Sequence, residues 1–239
     1  MNIEELSELE DLRELVQLFL TVWGYSSEAP LNADTLRAMS YSGSYIAGGR
    51  SDGRLVGGIV GWLGMHPTGE VHLHSHILGV LPGSDAKGLG FALKQHQRTW
   101  CLDRGIKTIE WTFDPLVRRN ASFNLRKLGA DAAAYLVDFY GPMQDGINAG
   151  DESDRILIRW DLESPKAEAA ARGVSHEVEK SADARACETP EDIVAIRRTD
   201  PAQAKRWRHG LRETLGMHMM AGGRVRGVTR DGWYVLDPN

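Results

Sequence analysis

Cysteine is scarce: the 239 residues include only Cys101 and Cys187. Two thiols so far apart frame neither a disulfide scaffold nor a cysteine-built zinc site. Long apolar runs are missing too, which excludes a membrane-spanning segment. The opening Met1-Asn2-Ile3-Glu4-Glu5 is acidic and lacks the basic-then-apolar layout of a secretory leader, so cytoplasmic residence is expected. Positive charge is in short supply, with 28 Lys and Arg against 33 Asp and Glu and a net charge of −5. That balance argues against a nucleic-acid partner. Neither an internal repeat nor a low-complexity tract is visible. What is there, 42% hydrophobic and 26% charged residues, describes a soluble chain able to build one large core or two small ones.

Periodicity gives the order of elements. Residues 3–6 read as a short strand, and 8–23 as an amphipathic helix with Leu12, Leu15, Phe19, Val22 and Trp23 on one face. Gly24 then supplies the helix stop. A second helix is predicted over 33–41, capped by Asn32. Strands at 44–49 and 55–63 flank Asp52-Gly53, a strong hairpin signal. Further strands fall at 71–81, 108–113, 134–140 and 156–162, with helices at 89–103 and 121–128 closed by Gly105 and Gly129. This order predicts an α/β chain built on a mixed sheet with helices on both faces. Residues 163–188, rich in Ala, Glu and Ser, read as a linker after a first domain of 1–162. Residues 189–239 then form a small C-terminal α/β extension. It has a strand at 193–196, a helix from Asp200-Pro201 to about 219, and a hairpin around Asp231-Gly232. So small a tail is expected to dock on the first domain or on a partner subunit, which leaves room for a homodimer.

The most informative segment is Leu78-Gly79-Val80-Leu81-Pro82-Gly83-Ser84-Asp85-Ala86-Lys87-Gly88-Leu89-Gly90. An apolar strand enters a glycine-punctuated loop that opens a helix. Such a turn aims backbone N–H groups and a helix N-terminus at one spot, where a phosphate can sit. The spacing fits neither a Walker loop, since no hydroxyl follows Lys87, nor the dinucleotide G-x-G-x-x-G.

In Val80, Pro82, Gly88 and Gly90 the segment resembles the pyrophosphate loop of the GNAT acyltransferase superfamily, V-x-P-x-x-[RQ]-x-x-G-x-[GA]. Asp85 departs from it, standing where the family has Arg or Gln, so the backbone amides and Lys87 must carry the anion. The run from Arg118 to Gly129 resembles a second signature of that family through Ala121, Lys127 and Gly129. Arg118 there replaces an asparagine, and Leu125 replaces the tyrosine that often protonates the thiolate. Together with Trp111-Thr112-Phe113-Asp114-Pro115-Leu116 and Asp138-Phe139-Tyr140-Gly141, the chain is similar to a bacterial branch of predicted acetyltransferases in that family. The resemblance covers most of residues 1–162. It implies a splayed mixed sheet and acyl-CoA, by default acetyl-CoA, as co-substrate. It also implies cofactor contacts from Gly79, Val80, Lys87, Gly88, Leu89, Gly90, Arg118 and Asn120. The backbone N–H that polarises the thioester carbonyl would lie at Gly79–Val80, with Gly79 marking a bulge.

Acyl transfer to an amine also needs a base. His72, His74 and His76 alternate along the strand entering the loop and so share one face. His76, nearest the loop, is the first candidate and His74 the second. Half-buried structural histidines are the competing reading. A metal site made of the three is not expected, because neither carboxylate nor cysteine completes it within the motif. Asp114, at a strand C-terminus, and Glu110, on the same side of that strand, are alternative bases, while Asp114 also suits a turn before Pro115. In place of the missing tyrosine, either Tyr140 or Tyr135 protonates the thiolate, or the thiolate leaves unprotonated. Arg155, at a strand start, could bind a substrate carboxylate or pair with an acid. Lys205, Arg208 and Arg212 form a helical stripe, read as a solvated basic face or as a lid over an acidic substrate. Trp207, Leu211 and Leu215 form the packing face of that helix.

The leading expectation is an acyl-CoA-dependent N-acyltransferase acting on a small amine or amino-acid-like metabolite. A non-catalytic acyl-CoA-binding module is the alternative, and an ATP-binding protein the third.

Overall fold

The computed structural model describes residues 2–24, 31–83, 86–141, 151–181 and 183–237. The chain divides into two compact units, Met1–Glu110 and Trp111–Asn239. Its strands form a seven-stranded mixed sheet, ordered β1-β2-β3-β4-β5-β7-β6, and a separate sheet ordered β8-β10-β9. They are β1 (Asn2–Glu5), β2 (Tyr45–Ser51), β3 (Arg54–Met65), β4 (Val71–Val80), β5 (Thr108–Phe113), β6 (Asp131–Leu136), β7 (Arg155–Asp161), β8 (Ala186–Glu188), β9 (Val225–Val228) and β10 (Trp233–Leu236). The expected α/β mixed sheet is present.

In the first unit β1 to β4 pair antiparallel in chain order. Asp52 and Gly53, both with positive φ (49° and 79°), make the tight turn between β2 and β3 that Asp-Gly favours. Helix α1 (Leu9–Trp23) ends on Gly24 in the left-handed conformation, with its N–H on the Leu20 carbonyl. Helix α2 (Ala33–Tyr41) starts at Asn32, whose side chain accepts from the Thr35 N–H at 2.8 Å. Leu12, Leu15, Leu18 and Phe19 of α1 are buried with Leu36, Ile46, Leu55 and Val60. Gly58 permits that contact, since a Cβ there would lie 2.1 Å from Leu15 Cδ1. On the other face Gly57 makes room for Leu89 of α3 (Leu89–Leu102).

β4 is irregular. Val60 pairs with Ile77 but Gly61 pairs with Ser75, so His76 is an extra residue on β4, a β-bulge. Gly79, expected to mark the bulge, instead pairs regularly with Gly58. It is glycine for another reason: a Cβ there would press on Phe19 and Val22 of α1, both at 3.3 Å. The parallel ladder between β4 and β5 covers Leu73↔Ile109 and His74↔Glu110, while β4 runs on to Val80.

The second unit departs from the sequence reading in several places, beginning with β6, which covers Asp131–Leu136 rather than 134–140. Helix α4 (Arg118–Ala121) begins three residues before the predicted 121 and runs into a wider π-helical turn, Ser122–Lys127. The segment read as a linker contains helix α5 (Pro165–Ala171), capped by Ser164. The strand predicted at 193–196 is helix α6 (Ile193–Thr199), because the Asp192 side chain accepts from the Ala195 N–H and caps it. Helix α7 (Pro201–Leu211) starts at Asp200 as its cap predicts, and a π-helical turn joins it to α8 (Met217–Met220). Strands β9 and β10 flank the expected Asp231-Gly232 turn. Among the described residues no helix is long and apolar enough to cross a membrane.

Candidate active site

Helix α3 opens directly after the glycine loop. Gly88 is its N-cap with φ +88°, a conformation that favours glycine. Gly88 has no side chain with which to cap this end, and no acid occupies the first turn. A Cβ placed at Gly83 or Gly88 would meet nothing within 4 Å, so space lies open at those two positions. A helix start at a glycine, with Lys87 exposed next to it, fits a diphosphate. Leu89 faces inward, 2% exposed, and anchors the turn rather than touching solvent. Gly90 lies against β4, where a Cβ would sit 3.5 Å from Leu78. Asp85, the departure from the family pattern, lies outside the described residues.

The bulge decides which way β4 points its side chains. Before it, Ser75 turns toward α3 and accepts from Lys94 Nζ at 2.8 Å. After it, Ile77 packs on the α1 core and Leu78 lies by Gly90 of α3. His76 therefore shares a face with His74. Their ring centroids are 5.7 Å apart, and Trp62 of β3 lies 5.0 Å from His74 and 4.6 Å from His76. Trp62 escaped the sequence reading, although its even spacing from Val60 along β3 places it on this face. Burial keeps the His76 imidazole neutral at physiological pH by lowering its pKa. His74 is lowered to about 4, by burial first and then by His76, His72 and Lys94. Burial also lowers the Lys94 ammonium to about 7. His72 turns toward Glu110, Nε2 to Oε2 3.8 Å, and His66 reaches the other carboxylate oxygen at 3.2 Å.

The remaining candidates belong to the second unit. Asp114 is buried and salt-bridged to Arg208 (2.9 Å) and Arg197. Against the upward push of burial, these two guanidinium groups hold its carboxyl well below the usual range. So weak a base takes no proton from an ammonium, and Asp114 is a structural ion-pair partner instead of a base. It also accepts from the Leu116 N–H at 2.9 Å, the turn role that Pro115 suggested. Arg208, read as part of a solvated stripe, is fully buried, with Asp151 as its second acid at 2.9 Å. Arg212, from the same stripe, pairs with Asp154 at 2.6 Å and with Glu152. Arg155 is buried over the Tyr140 ring, 5.3 Å from its centroid, and donates to the Asp154 carbonyl at 2.9 Å.

Tyr140 is half exposed, its hydroxyl 3.1 Å from Thr112 Oγ1. Tyr135 is buried and donates to Asp154 at 2.7 Å, and burial and that carboxylate both push its pKa up. Of the two phenols only Tyr140 is open to solvent. Arg118 spends its guanidinium on the Thr189 hydroxyl (3.2 Å) and carbonyl. The Asn120 N–H caps back to the Val117 carbonyl at 2.9 Å. Leu125, in the family's tyrosine position, is 2% exposed.

The sequence pattern of the acetyltransferase (GNAT) family matches residues 9–129, 121 of the 239. No curated protein sequence matches the chain. Among solved structures, the ribosomal-protein-S18-alanine N-acetyltransferase from Escherichia coli is 16% identical with a TM-score of 0.53. That match covers 68% of this chain and 94% of the other. Naa20 from Chaetomium thermophilum in complex with a bisubstrate analogue is also 16% identical at TM-score 0.53, over 67% of this chain and 86% of its own. The NatC complex bound to Gag peptide and CoA gives 16% identity and a TM-score of 0.50, covering 67% and 98%. At such identities the likeness is one of fold. With the fold, the glycine loop and the family pattern over half its length in agreement, the chain belongs to the acetyltransferase (GNAT) family of N-acyltransferases.

Proposed function

We propose that the protein transfers an acyl group, acetyl by default, from acyl-CoA to a small amine or amino-acid-like metabolite. The observation that carries this reading is the glycine start of α3, Gly88 at φ +88°, reached by the loop that leaves a β4 strand whose bulge presents His76. Gly88, Gly90, Leu89 and Lys87 form the loop that would hold the diphosphate, and Val80 ends the strand leading into it. Acyl-CoA supplies an activated thioester. The protein supplies a neutral imidazole at His76 to take the proton from the incoming ammonium. Trp62 beside it provides an aromatic wall that can receive a cationic amine before that proton leaves. Beyond His74 the β4–β5 ladder stops, so the N–H that polarises the carbonyl is to be sought on β4 from the bulge at His76 through Gly79–Val80. The acidic balance of the chain favours a metabolite acceptor over a nucleic acid.

Two variants separate binding from chemistry. His76→Ala should lower kcat by on the order of a hundredfold and leave the Kd for CoA unchanged, read by thiol release and calorimetry. Full turnover in that variant removes His76 from the mechanism. Gly88→Asp should weaken CoA binding strongly, since it sets a strained residue and a negative charge at the helix start. An unchanged Kd there refutes the phosphate site. Leu125 favours a second reading, a binding module without turnover. Tight CoA binding with no amine-dependent thiol release across an amine panel would establish that module.

A further inference from the structure

At the end of β4 away from the glycine loop, two histidines converge on one carboxylate. His66 follows β3, His72 is the second residue of β4, and Glu110 lies on β5. His66 Nε2 is 3.2 Å from Glu110 Oε1, and His72 Nε2 is 3.8 Å from Glu110 Oε2. One donor atom from each of the three residues lies within 4.8 Å of the others. A zinc ion bonded at roughly 2.0–2.2 Å holds neighbouring tetrahedral donors about 3.3–3.6 Å apart. The two imidazoles meet different oxygens of the carboxylate at 3.2 and 3.8 Å, on either side of that range, and one donor atom from each residue would have to close in from within 4.8 Å to complete it. The two imidazoles stack with centroids 4.3 Å apart and planes at 28°, both bringing Nε2 to the same carboxylate.

A second observation points the same way. A Cβ at Gly64 would lie 2.6 Å from His72 Nε2 and 2.7 Å from its Cε1. The donor edge of the His72 ring thus occupies the space that a side chain at position 64 would take. Burial adds to this, because the Glu110 side chain is 8% exposed and that of His72 is 13%, so both are held by packing. His66 sits at 28% on the turn, where its backbone bonds Glu70 and Gly69. Two packed donors and one from a turn leave an approach from solvent. The donor chemistry is selective too. Two imidazoles and one carboxylate suit zinc and its transition-metal neighbours, whereas calcium and magnesium require shells dominated by oxygen.

We propose that His66, His72 and Glu110 bind one divalent transition-metal ion, with water in the fourth position. The ion ties the β3–β4 hairpin to β5, apart from the glycine loop.

The test uses the full chain, stripped with a chelator and titrated with Zn²⁺ by calorimetry and with Co²⁺ by visible absorption. One equivalent should bind, with the intense visible bands of four-coordinate cobalt, and Zn²⁺ should raise the melting temperature. His66→Ala, on an exposed turn and so expected to fold, should weaken binding by ~100-fold or more. Gly64→Ala removes no ligand and should still weaken it by about tenfold. A hydrogen-bonded His–Glu cluster without metal affinity predicts the reverse. Absence of a stoichiometric site, or an affinity that His66→Ala leaves unchanged, overturns the proposal.

Discussion

Arg50 in the first unit and Arg208 in the second each gather several acids, to different effect. Arg50 reaches Glu4 (2.9 Å), Asp11 (2.5 Å) and Glu14 (2.7 Å), acids whose side chains are between 35% and 43% exposed. Solvent screens that network, and the unit relies instead on the apolar packing of α1 against β2 and β3. Arg208 is 1% exposed and its acids, Asp114 and Asp151, 5% and 3%. There each charge has left water, so each depends on its partner. Similar contact lists therefore carry different weights, and burial decides between them.

The widest gap should appear on breaking the buried cluster. Asp114→Asn leaves Arg208 and Arg197 undercompensated and should cost about 3–5 kcal/mol in denaturant unfolding. A loss of under 1 kcal/mol would place the cluster with the solvated networks. Lys94 tests whether the first unit also stores a buried charge. Its ammonium titrates near 7 when folded against 10.5 in the open chain. Between those values the unfolded chain holds more protons, so stability should rise as pH climbs above 7. Lys94→Met should flatten that rise, and the difference between the two pH profiles isolates the lysine. Identical slopes would mean the buried ammonium keeps its proton. The smallest effect belongs to Arg50→Gln, at most ~1 kcal/mol and shrinking with added salt.

What could be read from sequence was whatever a local rule fixes. Asn32, Asp52-Gly53 and Asp200-Pro201 each act through their own backbone, and each does so where expected. Ser164-Pro165 carries the same cap-and-proline signal as Asp200-Pro201, so α5 was legible there but hidden by the segment's composition. Partners distant in sequence were not legible. Arg208 looks like one more helix-surface cation until Asp114 and Asp151 meet it. Likewise His66 and Glu110 are separated along the chain, and the alternation at 72–76 directs attention to His74 and His76 rather than to the cluster His72 forms with His66 and Glu110. The bulge at His76 follows from pairing with Gly61 and Val60, which periodicity along β4 alone cannot show.

That single surplus residue works as a change of parity within β4. Odd-numbered side chains look toward α3 before it and toward α1 after it, as Ser75 and Ile77 show. His76 itself stands at the changeover, so trimming its ring leaves the alternation on either side intact. Deleting it would instead realign the ladder and erase the projection on which the imidazole is displayed. Point substitution at this position thus tests the imidazole alone, whereas deletion tests the imidazole and the shape of the strand together.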